Sequence, residues 1–145
     1  MINLFYRKCH PVRGAGFSGS RLTLSPHSIP AAFSLFDHGI FRITAAAPAL
    51  SVANPAANAA SSIQAIESSD ADLILLPELG LSGYTCGDLF SMDSLLSDSL
   101  VALKRIADHT SGHQAMVVVG LPLCVQGALM NCAAMVAGGQ VCGIV

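Results

Sequence analysis

The sequence predicts an α/β layered fold in which helices cover a sheet. Three features predict it. Residues 72–77 (DLILLP) and 115–121 (AMVVVGL) are continuous apolar runs of strand length, suited to strands buried on both faces. Segments with apolar residues at helical spacing stand around them. Gly138–Gly139 then splits the last apolar stretch, as a two-residue hairpin turn that tolerates positive φ would.

Taken in order, residues 41–47 (FRITAAA) read as the first strand. Asn54 and Pro55 follow, a helix-capping residue and then proline at the first helical position. Behind them Ala59, Ala60, Ile63 and Ile66 recur at helical spacing, so a helix runs from 54 to about 68. The strand 72–77 comes next. A second helix spans 92–109, with Leu96, Leu100, Leu103 and Ala107 on its apolar face. Asp93 near its start and Lys104, Arg105 and His109 near its end suit the helix dipole, and Gly112 stops it. The third strand is 115–121. Residues 129–137 and 140–145 form the closing hairpin.

Hydrophobic residues make up 52% and charged residues 11% of the 145, with mean hydropathy +0.60. That is too apolar for a disordered chain, and implies burial against a partner or further sequence. No apolar run reaches the length of a spanning helix, about 18 residues, so no membrane association is expected. Residues 1–32 carry Arg7, Lys8, Arg13 and Arg21 and no acid. This leader resembles a transit peptide in composition, or reflects a start codon set too far upstream, and order is not expected of it. The remainder sets Arg42, Lys104 and Arg105 against all nine acids, which excludes the basic surface of a nucleic-acid binder. Five cysteines without CxxC pairs or zinc spacing point to reduced thiols in a cytoplasmic setting and to no metal site. Cys9, Cys124, Cys132 and Cys142 read as small buried hydrophobes.

Chemistry concentrates in residues 75–88, LLPELGLSGYTCGD. Glu78 directly follows an apolar strand and a proline, where strand ends open into ligand-binding loops. A carboxylate placed there loses solvation, the usual way to make a general base. Gly80 and Gly83 permit tight turning, and Tyr84 offers a ring and a hydroxyl. From the residues alone, a glutamate after a strand is more often a surface or helix-capping carboxylate than a catalytic one. Tyr84 either lines a pocket or covers the end of the core. Asp88 suits a helix start, and His38 a turn beside Gly39. His109 and His113 read as a helix end rather than a metal pair, and Asn131 as a structural hydrogen-bonding residue on its strand.

The PELGLSGY run after an apolar strand resembles the glutamate-bearing motif of the nitrilase (carbon-nitrogen hydrolase) superfamily. FSLFDHGIFRITAAAP, NPAANAASSIQAI, GYTCGDLFSMDSLL, VVVGLPL and MNCAAMVAGGQVCGIV are similar to successive segments of the glutaminase domain of bacterial glutamine-dependent NAD synthetases. The resemblance covers residues 33–145, taken as a partial glutaminase domain. Ser91 and Met92 depart from it, standing where bulkier polar residues are expected. It implies the first part of a nitrilase-like α-β-β-α sandwich with Glu78 as general base and Tyr84 in the substrate site. It also implies glutamine as substrate, a following synthetase domain that uses ATP and magnesium, no cofactor in this domain, and a homo-oligomeric full protein.

The family's lysine and nucleophilic cysteine come from later segments. Lys8 and Lys104 do not match that lysine, and Cys86 does not match the nucleophile, so Cys86 is read as structural and the chain as catalytically incomplete. Two other readings stay open: a fragment of a free-standing amidase of the superfamily, and a non-catalytic truncated product. The sequence beyond residue 145 would distinguish the first pair, and a glutaminase assay the last.

Overall fold

The computed structural model describes residue 39 and residues 41–145. The leader, Cys9 and His38 lie outside the described residues. Among these described residues five strands and two α-helices follow in the order β1 (Ile43–Ala45), α1 (Pro55–Glu67), β2 (Leu73–Leu75), α2 (Asp93–His109), β3 (Met116–Val125), β4 (Ala128–Ala137) and β5 (Gln140–Ile144). Short 3-10 turns stand at Gly87–Ser91 and Thr110–Gly112. The strands form one mixed sheet in the order β1-β2-β3-β4-β5, parallel across the first three and antiparallel across the last three.

Both parallel connections advance one strand in the same direction. Right-handed crossovers therefore put α1 and α2 on one face, where they pack against each other. Ile74, Val117, Val119, Leu121, Ala134 and Val136 point into that layer. They meet Ala59 and Ile66 of α1 and Ala102, Leu103 and Ile106 of α2. The opposite face follows from the register. Ile43, Leu73 and Met116 align, and so do Ala45, Leu75, Val118 and Met135. This face is apolar, and Ile43 on it is 61% exposed.

Local signals placed α1 well. The Asn54 side chain accepts from the Ala57 amide at 3.1 Å, and Pro55 takes the first turn. The buried face of α2 agrees with the expected one at Leu103 and Ala107 and departs from it at Leu100. Leu95, Ser99, Ala102, Leu103, Ile106 and Ala107 are buried, whereas Leu100 is 50% exposed. The stripe through Leu95 and Ile106 wins because Ser99, which interrupts it, bonds back to the Leu95 carbonyl at 2.7 Å and so buries no unpaired hydroxyl.

Strand β3 runs on through Pro122 to Val125, beyond the expected end at residue 121. The backbone explains the tolerance. The carbonyls of Val118 and Gly120 accept from Leu76 and Leu81, so even-numbered residues turn their backbone groups toward the β2 side. Pro122 shares that parity beyond the end of β2, where the missing N–H has no strand to serve. The β3–β4 turn is Gln126–Gly127 and the β4–β5 turn Gly138–Gly139, each with two residues at positive φ.

The cysteines also differ from expectation. Cys124 is exposed, and Cys132 and Cys142 are partly buried. Alternation along β3 puts Leu121 and Leu123 in the core and turns Cys124 to the other face. Only Cys86 among the described cysteines is buried.

Candidate active site

The PELGLSGYTC run is a tightly tied loop leaving the carboxyl end of β2. The Gly80 amide donates to the Pro77 carbonyl at 3.0 Å, and those of Ser82 and Gly83 to the Leu79 carbonyl at 3.1 and 2.7 Å. Leu81 bonds the Gly120 carbonyl at 3.1 Å, which pins the loop to β3. From the helix side, buried Asn58 donates to the Leu81 carbonyl at 2.9 Å, and the Ala53 amide reaches Ser82 at 2.8 Å. The Cys86 thiol lies 3.0 Å from the Ser82 carbonyl. These bonds account for the small and polar residues of the motif, and they fit the structural reading of Cys86.

Two further features hold the loop close to β3. A Cβ on Gly120 would stand 2.5 Å from the Pro77 carbonyl oxygen and 2.6 Å from the Leu79 nitrogen. Glycine is thus required for the loop to lie directly on the strand. Leu79, immediately after Glu78, has φ of 49°, in the left-handed region that a leucine adopts at a cost of about 1–3 kcal/mol. Such strain beside a carboxylate is a structural pointer to function. No feature of the sequence announces it.

Glu78 stands at the rim of a cavity of about 300 Å3, lined also by Leu76, Pro77, Val118, Gly120, Asn131 and Ala133. Ligand cavities begin at about that size. Glu78 itself is exposed, so the loss of solvation expected for it is not provided by the described residues. One carboxylate oxygen accepts from the Asn131 side-chain amide at 2.5 Å. Among the described residues the other oxygen has no partner. Tyr84 is 69% exposed and lines neither this cavity nor the smaller one next to it, so the structure does not bring it to Glu78.

Cys132 borders the cavity, but it pairs with Leu121, whose side chain is in the core, so its own side chain points to the helix face. Lys104 lies on α2, ion-paired with Asp108 at 2.7 Å. Asp88 is exposed in the 3-10 turn before α2. The His109 and His113 rings meet at a tilt of 35° with centroids 4.8 Å apart at the end of α2. Among the described residues no group of three or more His, Cys, Asp or Glu is placed to hold a metal ion, and no helix is long and apolar enough to cross a membrane.

No protein-family model matches the chain. The glutamine-dependent NAD(+) synthetase of Mycobacterium tuberculosis is 34% identical over 116 residues, covering 78% of this chain and 17% of that protein. The crystal structure of the Cytophaga hutchinsonii glutamine-dependent NAD(+) synthetase superposes with a TM-score of 0.66 at 30% identity, over 71% of this chain and 18% of that one. The chain is a homologue of glutamine-dependent NAD(+) synthetases. A Nesterenkonia amidase of the nitrilase superfamily matches with a TM-score of 0.59 at 20% identity, over 72% of this chain and 41% of the amidase, and shares the fold. This synthetase homologue therefore has part of the carbon-nitrogen hydrolase fold. It spans about a sixth of the length of the synthetases it matches.

Proposed function

We propose that the chain is the first part of the glutamine-hydrolysing domain of an NAD synthetase, with Glu78 as its general base. The observation that carries this reading is the unpaired Glu78 oxygen at the cavity rim, on a strained loop at the carboxyl end of β2, in a chain homologous to glutamine-dependent synthetases. In this reading Glu78 takes the proton of a cysteine thiol as the sulfur attacks the side-chain amide carbon of glutamine. The proton passes to the departing nitrogen, ammonia leaves, and an acyl-thioester remains on the sulfur. Water then adds to the thioester with Glu78 again accepting a proton, giving glutamate and the free thiol.

The thiol, and a lysine to steady the tetrahedral oxyanion, come from other segments of the full protein. Neither Cys86, buried in its loop, nor Lys104, paired on α2, serves. ATP and magnesium act in the synthetase part, where the released ammonia amidates nicotinate adenine dinucleotide. The full protein is a cytoplasmic homo-oligomer in this reading.

In the full-length protein, Glu78→Gln lowers glutamine hydrolysis by about 10²–10⁴-fold and leaves ammonia-driven synthesis intact. Equal loss of both activities would make Glu78 structural. The 145-residue chain alone hydrolyses glutamine at background rate, and activity above background would overturn the assignment of the missing groups to other segments.

A further inference from the structure

We infer that Asn131 is a positioning residue, whose side-chain amide fixes the orientation of the Glu78 carboxylate toward the cavity. The inference rests on the reading of Glu78 as the base.

The two residues are 53 apart in sequence and reach each other from different elements, Glu78 from the loop after β2 and Asn131 from β4. Asn131 pairs with Pro122 on the sheet face that carries Gly120 and Ala133, which is the face bearing the cavity. It is polar in an otherwise apolar strand, MNCAAMVA. A carboxylate only accepts hydrogen bonds, so the amide must turn its nitrogen toward Glu78. With one oxygen held at 2.5 Å by that nitrogen, the carboxylate's rotation is fixed and the second oxygen is the one left to accept a proton. A neutral amide suits the task, because a cation there would hold the carboxylate but blunt it as a base.

The backbone brings the carboxylate within reach. Lacking a Cβ, Gly120 lets Pro77 and Leu79 lie against β3, and Asn131 sits on the neighbouring strand two positions from Ala133, the partner of Gly120. Asn131 also lines a second cavity of about 200 Å3, together with Leu79, Phe90, Pro122 and Met130. Both side chains are exposed, so their bond adds little to folding. Its effect falls on geometry.

The test uses the full-length protein and measures glutamine-driven and ammonia-driven rates, KM for glutamine and the melting temperature. Asn131→Ala should lower the glutamine-driven kcat by about 10²-fold, the usual cost of misplacing a reacting group by an ångström. KM, the ammonia-driven rate and the melting temperature should stay near wild type. Asn131→Asp, which keeps the shape but sets a second carboxylate against Glu78, should fall further. Asn131→Gln, which keeps a neutral donor, should recover more than Asn131→Ala. Wild-type kcat in both the Ala and Asp variants overturns the inference. A parallel fall of both rates with a lowered melting temperature overturns it too, and makes Asn131 structural. Glutaminase activity surviving Glu78→Gln sinks the base assignment and this inference together. Loss in Glu78→Gln with a normal Asn131→Ala sinks the inference alone.

Discussion

Adding one methyl group at Gly120 probes how closely the Glu78 loop is laid on β3. An alanine Cβ there would meet the Pro77 oxygen at 2.5 Å, the Leu79 nitrogen at 2.6 Å and the Glu78 carbonyl carbon at 3.0 Å. All three are backbone atoms, so no side-chain rotation relieves the contact and the loop must lift. Overpacking of this kind costs about 1–3 kcal/mol. Lifting also stretches the 3.1 Å bond from Leu81 to the Gly120 carbonyl, worth a further ~0.5–1.5 kcal/mol net. Together the loss is about 2–4 kcal/mol, a large part of the ~5–15 kcal/mol that holds a domain folded. Two other glycines calibrate it. At Gly143 the added Cβ meets only the Met135 terminal methyl at 3.0 Å, which can swing aside. At Gly112 it meets nothing within 4 Å. Urea unfolding of the three alanine variants should therefore rank Gly112 as nearly neutral, Gly143 as mild and Gly120 as severe, read from midpoints at constant slope. A Gly120→Ala midpoint equal to that of Gly112→Ala would refute the close approach.

Asn58→Ala should destabilise by about 2–4 kcal/mol in the same assay. Asn58 is 1% exposed and its side chain holds the Ser51 amide and the carbonyls of Ser51 and Leu81, and truncation strands those groups; a loss under about 1 kcal/mol would show that water replaces the amide. Brief alkylation of the native chain, followed by peptide mass spectrometry, should label exposed Cys124 well before buried Cys86, and equal labelling would contradict the burial of the Cys86 thiol. Asn54→Ala should cost about 1 kcal/mol through loss of the cap on α1, with an unchanged midpoint showing that Pro55 suffices to start the helix.

Much of the fold was legible because local rules and tertiary packing agree. Asn54–Pro55 announces α1, and Gly138–Gly139 announces a hairpin. DLILLP announces a strand, although only Leu73–Leu75 pairs. The misreadings arose where a property of neighbours decides. Pro122 looks like a strand end until the length of β2 is known. The buried stripe of α2 includes Ser99, which reads as polar until its bond to Leu95 is seen. At the site, Glu78 was visible as a carboxylate after a strand. Its exposure was not, because that depends on what stands across the loop. Asn131 gave a signal in its polarity within an apolar run. Its partner lies 53 residues away, and only the pairing of β2 with β3 and β3 with β4 brings the two together.

The sheet also joins two kinds of strand pairing that close on different clocks. The long β3–β4 pair is linked by two residues and can zip within about 1–10 μs. The β2–β3 pair must wait for α2 and its connections to be gathered in, and closing so long a stretch is slow. In refolding, the hairpin therefore spends a period with the Met116–Val118 edge of β3 unpaired. Such a bare apolar edge recruits other copies as readily as it recruits β2. Recovery of folded chain should thus decline as refolding concentration rises, with the step that docks β2, and so delivers Glu78, competing against self-association.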